Sequence, residues 1–101
     1  MKNTDNIEKM EKILNDTASL MDDADRLMDR LEENLDSYKE LSDYYCSDER
    51  MKDLEDDEKG LIPDNINRGV LDEDSIWNLG IEYREAAMRM MEIGLRMLRN
   101  S

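Results

Sequence analysis

The chain has 101 residues, 41% of them charged, and a net charge of -13, with nine Met, one Trp and no Phe. That length holds one helical domain (residues 1–101), or a helical hairpin whose core a second copy completes. A polyanion of this strength repels nucleic acid and anionic lipid, so direct binding to DNA, RNA or membrane is not expected. Basic proteins, including proteins that themselves hold nucleic acid, are favoured as partners.

The first predicted element is a helix from about residue 4 to 45, a stretch with neither Gly nor Pro. Its apolar residues keep a seven-residue repeat. Ile7, Leu14, Met21, Met28 and Leu35 share one column; Met10, Ala24, Leu31, Tyr38 and Tyr45 share another. Ile13, Leu20, Leu27 and Leu41 widen the stripe. A repeat of this period predicts a coiled-coil-like helix that winds around a partner. Asn3 or Thr4 is its expected cap, and its length is on the order of 60 Å.

A connector with a short helix at about 47–59 follows. Ser47-Asp48-Glu49 reads as a cap and an acidic first turn, Met51 and Leu54 as an apolar edge, and Gly60 as a stop. Leu61-Ile62-Pro63 leaves extended, because the residue before proline avoids helical geometry. Asn65, Asn67 and Gly69 read as turn residues.

The last helix is expected over about 72–99. Asp72, Glu73 and Asp74 place negative charge at its positive end, and Arg96 and Arg99 sit at its negative end. Leu71 and Ile76 fall where a hydrophobic staple would flank an Asp72 cap. Two apolar stripes run along it: Ile76, Leu79, Tyr83, Ala87, Met90, Ile93 and Met97, and beside them Trp77, Ile81, Met88, Met91, Leu95 and Leu98. Such a helix is expected to be buried on more than one side, with the first helix covering one stripe and the short helix part of the other. The fold expected is therefore all-α: a long antiparallel helical hairpin with a short helix in the connector. Its first helix outreaches the last by roughly a dozen residues, about 18 Å, stranding Ile7, Met10, Ile13 and Leu14. A two-fold homodimer would cover them.

Tyr44-Tyr45-Cys46-Ser47, the acidic connector, Leu61-Ile62-Pro63 and Arg68-Gly69-Val70-Leu71-Asp72-Glu73-Asp74 carry a resemblance. The chain resembles small bacterial proteins of domain-of-unknown-function family 4298 over nearly its whole length. It departs from them at Cys46, where that family carries a small residue such as Gly, and at Asn65-Ile66-Asn67. The resemblance implies a bacterial, cytosolic, helical protein and supplies no activity and no functional residue.

Chemistry is conspicuous by what is missing. The chain has no His, which removes Cys-His and Ser-His nucleophilic pairs and imidazole acid-base work. Cys46 cannot form an intrachain disulfide, which fits a reducing compartment. Beside Asp43, Asp48 and Glu49 it is a poor nucleophile and reads as a half-buried residue at a helix end. An EF-hand register counted from Asp64 places Ile66 and Arg68 at ligand positions and Ser75 where a bidentate Glu belongs, so it fails. Asp53, Glu55 and Asp57 alternate but lie in a helical stretch. No catalytic residue, metal ligand or cofactor is expected. With no signal peptide and no membrane-length apolar run, a cytoplasmic location is expected. A magnesium-dependent nucleotide hydrolase is the least favoured reading: Asp29-x-x-Glu32 and Glu82-x-x-Glu85 have suitable local spacing but lie away from the apolar stripes.

Two surfaces remain as candidates for contact. Asp22, Asp25, Asp29, Glu32, Glu33, Asp36, Glu40 and Asp43 fall within an arc of about 100° on the first helix. They are either a solvated face or a mimic of a nucleic-acid backbone, in the manner of anti-restriction and anti-CRISPR inhibitors. The second surface is the stripe of Trp77, Ile81, Met88, Met91, Leu95 and Leu98, whose Met side chains adapt to varied partners and equally suit a dimer seam. A non-catalytic helical interaction module, adaptor or regulator, is the expectation; the acidic inhibitor is the alternative.

Overall fold

A computed structural model describes residues 3–101 and shows an all-α chain, with no strand among the described residues. Its helices are α1 (Asn3–Tyr45), α2 (Asp48–Glu58) and α3 (Ser75–Arg99), with a 3-10 turn at Gly69–Leu71. Two compact units form, divided between Ser37 and Tyr38 within α1.

The described part of the first unit is helical, in keeping with its lack of Gly and Pro. Its heptad stripe lacks cover: from Ile7 to Leu35 every large apolar side chain except Leu31 is exposed. Leu31 and Ala24 are half-buried and share the column that continues to Tyr38 and Tyr45. Thr4 lies inside the helix, and the capping residue falls outside the described residues.

The second unit holds the turn-rich middle of the chain. Ser47 both ends α1 and starts α2. Its hydroxyl donates to the Tyr44 carbonyl at 2.7 Å and accepts from the Arg50 N–H at 3.1 Å, while its extended backbone turns the chain (φ -91°, ψ 157°). One side chain thus satisfies groups at two helix ends that would otherwise lack partners. α2 stops as its sequence predicts. Gly60 takes φ +70°, and the N–H groups of Gly60 and Leu61 donate to the Asp57 and Asp56 carbonyls at 3.0 and 2.9 Å, the paired bonds of a Schellman motif.

Two arginines hold the connector. Arg68 lies 3.0 Å from Asp57, too poorly aligned for a hydrogen bond, and 3.6 Å from Asp64. It also donates to the Ile62 and Pro63 carbonyls at 3.2 and 3.4 Å. Arg50 reaches from α2 to the Val70 and Asp72 carbonyls at 3.1 and 3.4 Å and lies over the Tyr45 ring, 4.9 Å from its centroid. α1 and α3 meet where the rings of Tyr38 and Tyr83 stack, with centroids 3.8 Å apart and planes 9° from parallel. Tyr45 donates to the Glu73 carbonyl at 3.4 Å. Positions rise along α1 from 38 to 45 while their partners fall from Tyr83 of α3 to Glu73, just before that helix, so the two segments are antiparallel.

Three expectations need correction. α3 starts at Ser75, not Asp72, because Gly69–Leu71 winds into a 3-10 turn and Asp72 is extended (φ -65°, ψ 136°). The Asp72 carboxylate accepts from the Ser75 hydroxyl at 2.6 Å instead of capping a backbone N–H. The Leu71–Ile76 staple therefore has no cap to flank. α3 is also not buried on several sides. Ile76, 6% exposed, is the one buried residue among those described. The short helix does not cover the second stripe, because Arg50 ties it to the 3-10 turn, and Trp77 remains 60% exposed. Cys46, lastly, is exposed rather than half-buried, because it lines an open groove instead of packing into a core.

The dual bond of Ser47 makes it the test of this junction. Ser47→Ala is expected to destabilise the chain by about 1–2 kcal/mol, read by urea denaturation followed by circular dichroism. A change within about 0.5 kcal/mol, ordinary for surface substitutions, would mean the junction does not depend on that hydroxyl.

Candidate functional site

Tyr38 and Tyr83 hold the end of α1 against the start of α3, and a groove opens beside their stack. It has a volume of about 220 Å³ and is lined by Tyr38, Ser42, Tyr45, Cys46, Ile76, Trp77, Gly80, Ile81 and Arg84. Gly80 lies against the Tyr38 side chain: a Cβ built there would lie 3.4 Å from its hydroxyl, an ordinary van der Waals contact. The lining mixes an apolar indole and branched chains with hydroxyls, one thiol and one guanidinium. Among the described residues Arg84 forms no ion pair with a carboxylate of its own chain. That composition suits an apolar side chain with a carboxylate at its edge.

Trp77 and Ile81 of the expected apolar stripe line this groove. Met88, Met91, Leu95 and Leu98 continue along α3, exposed, with Met91 at 76% and Leu98 at 74%. The stripe is therefore open surface in this chain, not core. Of the acidic set, Asp22, Asp25, Asp29, Glu32, Glu33 and Asp36 lie in the first unit, and Glu40 and Asp43 in the second; all are exposed. Only Asp43 has a cationic partner among the described residues, Lys39 at 2.8 Å, whose ammonium is held above its usual pKa by that hydrogen bond and charge. Arg26 turns to Asp23, outside the set, at 2.7 Å. Among the described residues no three His, Cys, Asp or Glu side chains cluster closely enough to hold a metal ion, and no helix is long and apolar enough to cross a membrane.

Some residues that matter here carry little individual signal in sequence. Tyr38 and Tyr83 each sit in an apolar stripe, but nothing in either stripe says that they meet. Arg50 and Asp53 look like ordinary charges of an acidic helix. Asp53 in fact accepts from the Tyr44 hydroxyl at 2.6 Å, and burial followed by this bond pushes the Tyr44 phenol up to about 12. The tyrosine pair is thus an anchor: Tyr44 ties α1 to α2, and Tyr45 supports Arg50.

These features define a class of protein: an all-helical chain among the described residues, with a polar connector, a small groove of mixed lining and long uncovered apolar stripes. The family model described as Domain of unknown function (DUF4298) matches residues 7–93, and the chain belongs to that family. No curated protein and no solved structure matches it.

The Tyr44–Asp53 bond has a pH signature. Because the phenol is raised in the folded chain, the stability it lends is complete below the unfolded value near 10 and is lost as pH rises through about 12. Phenolate absorbance is expected to include a step near 12 from Tyr44, and Asp53→Asn to lower that step. A Tyr44 step that Asp53→Asn leaves in place would show that the bond is absent in solution.

Proposed function

We propose that this chain is a non-catalytic helical interaction module, an adaptor or regulator that acts through its apolar helix faces. The observation that carries the reading is the imbalance between apolar residues and their cover. One side chain is buried among those described, while large apolar side chains stand exposed along α1 and α3. Contiguous exposed apolar surface on this scale marks a contact site. The stripe of Trp77, Ile81, Met88, Met91, Leu95 and Leu98 is the principal face. Its methionines repack against differently shaped partners, and its aromatic anchor is of the kind that dominates interface energetics. The partner is a protein presenting its own apolar helix face.

A second reading rests on a separate observation: the largely unpaired carboxylates between Asp22 and Asp36. Arg26, Arg30 and Lys39 stand three or four residues from Asp22, Asp29, Glu33 and Asp36, yet none of these four carboxylates forms an ion pair among the described residues. As a row of charges this face suits a basic groove built for a nucleic-acid backbone, which would make the chain an inhibitor of a nucleic-acid-binding protein.

Proteins captured by the purified chain and eluted on a salt gradient separate the two. Under the module reading, captured proteins resist salt and are lost when Met91→Asp is introduced, a substitution at an exposed position that spares the fold. Under the inhibitor reading they elute early, because exposed charge pairs are screened, and are lost when Asp29, Glu33 and Asp36 are reversed to Lys. If both variants capture the same proteins as the parent chain, neither face is the functional one.

A further inference from the structure

We infer that the face of α3 around Trp77 and Arg84 takes an acidic amphipathic helix of a protein partner, with a carboxylate of that helix paired to Arg84. This rests on the reading of the apolar faces as contact surfaces, and it adds the charge of what they contact. It runs against the chain's overall charge of -13, which by itself favours basic partners.

Arg84 stands inside the apolar stripe and not at its border. At 100° per residue it falls within about 20° of Trp77, Met91 and Leu95 around the helix axis. It lines the groove with Tyr38, Trp77 and Ile81, and no acidic residue is among the lining. The residues three and four away from it on α3 are Gly80, Ile81, Ala87 and Met88, so its own helix places no acid at the spacing of an ion pair. Among the described residues Arg84 forms no ion pair, and the guanidinium that lies over an aromatic ring is that of Arg50. Arg89 and Arg96 differ: each follows an acid, Glu85 or Glu92, by four residues on the polar strip.

In the free chain this arrangement costs nothing, because water solvates an exposed guanidinium. Contact changes that. A partner laid over Trp77, Met88 and Met91 also strips water from Arg84, and a cation desolvated without a counter-charge is costly. A carboxylate opposite Arg84 removes the cost, since the planar guanidinium matches it with two parallel hydrogen bonds. A Lys or Arg there adds repulsion. Arg99 lies on the same stripe about four turns further on, also without an ion pair among the described residues. A partner helix with two acids at that spacing meets a cation at each. Exposed carboxylates more than about 8 Å away weaken this preference little at physiological salt, whereas a pair covered by the contact is screened much less.

Trp77 is the only tryptophan and lines the same groove as Arg84, so its emission reports cover of this face. Three helical peptides of one leucine-striped sequence are titrated into the full chain, each below the concentration at which it self-associates. They carry Glu, Gln or Lys beside the leucines, residues of similar helix propensity. The Glu peptide is expected to shift Trp77 emission to the blue and to bind about tenfold more tightly than the Gln peptide, with the Lys peptide weakest. Arg84→Gln, a substitution at an exposed position whose fold is checked by circular dichroism, is expected to bring the Glu peptide to the level of the Gln peptide. Equal binding of those two peptides, a Lys peptide that shifts Trp77 most readily, or a preference that Arg84→Gln leaves in place overturns the inference. So does the absence of a shift with all three. A doubling of mass of the chain alone in sedimentation, followed by Trp77 emission, overturns it by giving the face to a second copy. Peptides that bind alike and are all lost with Met91→Asp would leave the module reading standing, so the two fail separately.

Discussion

The face-to-face contact of Tyr38 with Tyr83 is what the helical arrangement of the second unit depends on. The two rings lie 3.8 Å apart and form the aromatic link between α1 and α3. Everything near them follows from that approach. Gly80 lies beside the Tyr38 hydroxyl, Ile76 is buried one turn earlier, and the groove beside the stack is lined by Tyr38 itself. A closely stacked ring pair holds two helices at a fixed spacing with a small contact area. It does not cover the stripes on either side, and this is why α3 is positioned without being enclosed.

The connector reaches order by a different route. It has few apolar side chains to bury, so its backbone groups are satisfied by two guanidiniums and a hydroxyl. Arg50 and Arg68 between them reach four main-chain carbonyls, and Ser47 serves two helices at once. Arginine suits this role because its planar fork donates in several directions while staying charged. The acids around these arginines, Asp57 and Asp64, offset their charge. An acidic segment that would be disordered on composition alone thus holds a defined path. Arg68 and the tyrosine pair, with Ser47 and Arg50, are the residues that achieve this.

Helix positions were legible in the sequence because local signals set them. The stretch without Gly or Pro, the Ser47 cap and the Gly60 stop depend only on neighbouring residues, and each sits where those residues place it. The start of α3 was misread because three consecutive acids, Asp72, Glu73 and Asp74, all look like helix-opening residues, and only the 3-10 turn before them decides among them. Burial is legible only in part. Apolar periodicity shows which face wants cover, not whether the same chain supplies it. Trp77, Met91 and Leu98 have the pattern of core residues and the exposure of surface ones. The groove was half legible: Trp77 and Ile81 stood out as contact residues, whereas Arg84 and Cys46 acquire a place only once α1 and α3 are set side by side.

The charge of -13 and the bare apolar stripes oppose each other, and salt is the variable that separates them. Carboxylates crowded on α1 repel those of any second copy, so added salt relieves a cost of self-association. Excluded salts such as sulfate also strengthen apolar burial. A basic partner held by the same carboxylates responds in the opposite sense, since screening removes the attraction that binds it. Contacts through the apolar faces should therefore tighten, or hold, under conditions that release contacts through the acidic face. The two surfaces share α1, and a partner bound along its acids would find the apolar stripe on an adjoining side of the same helix. Occupying one need not block the other.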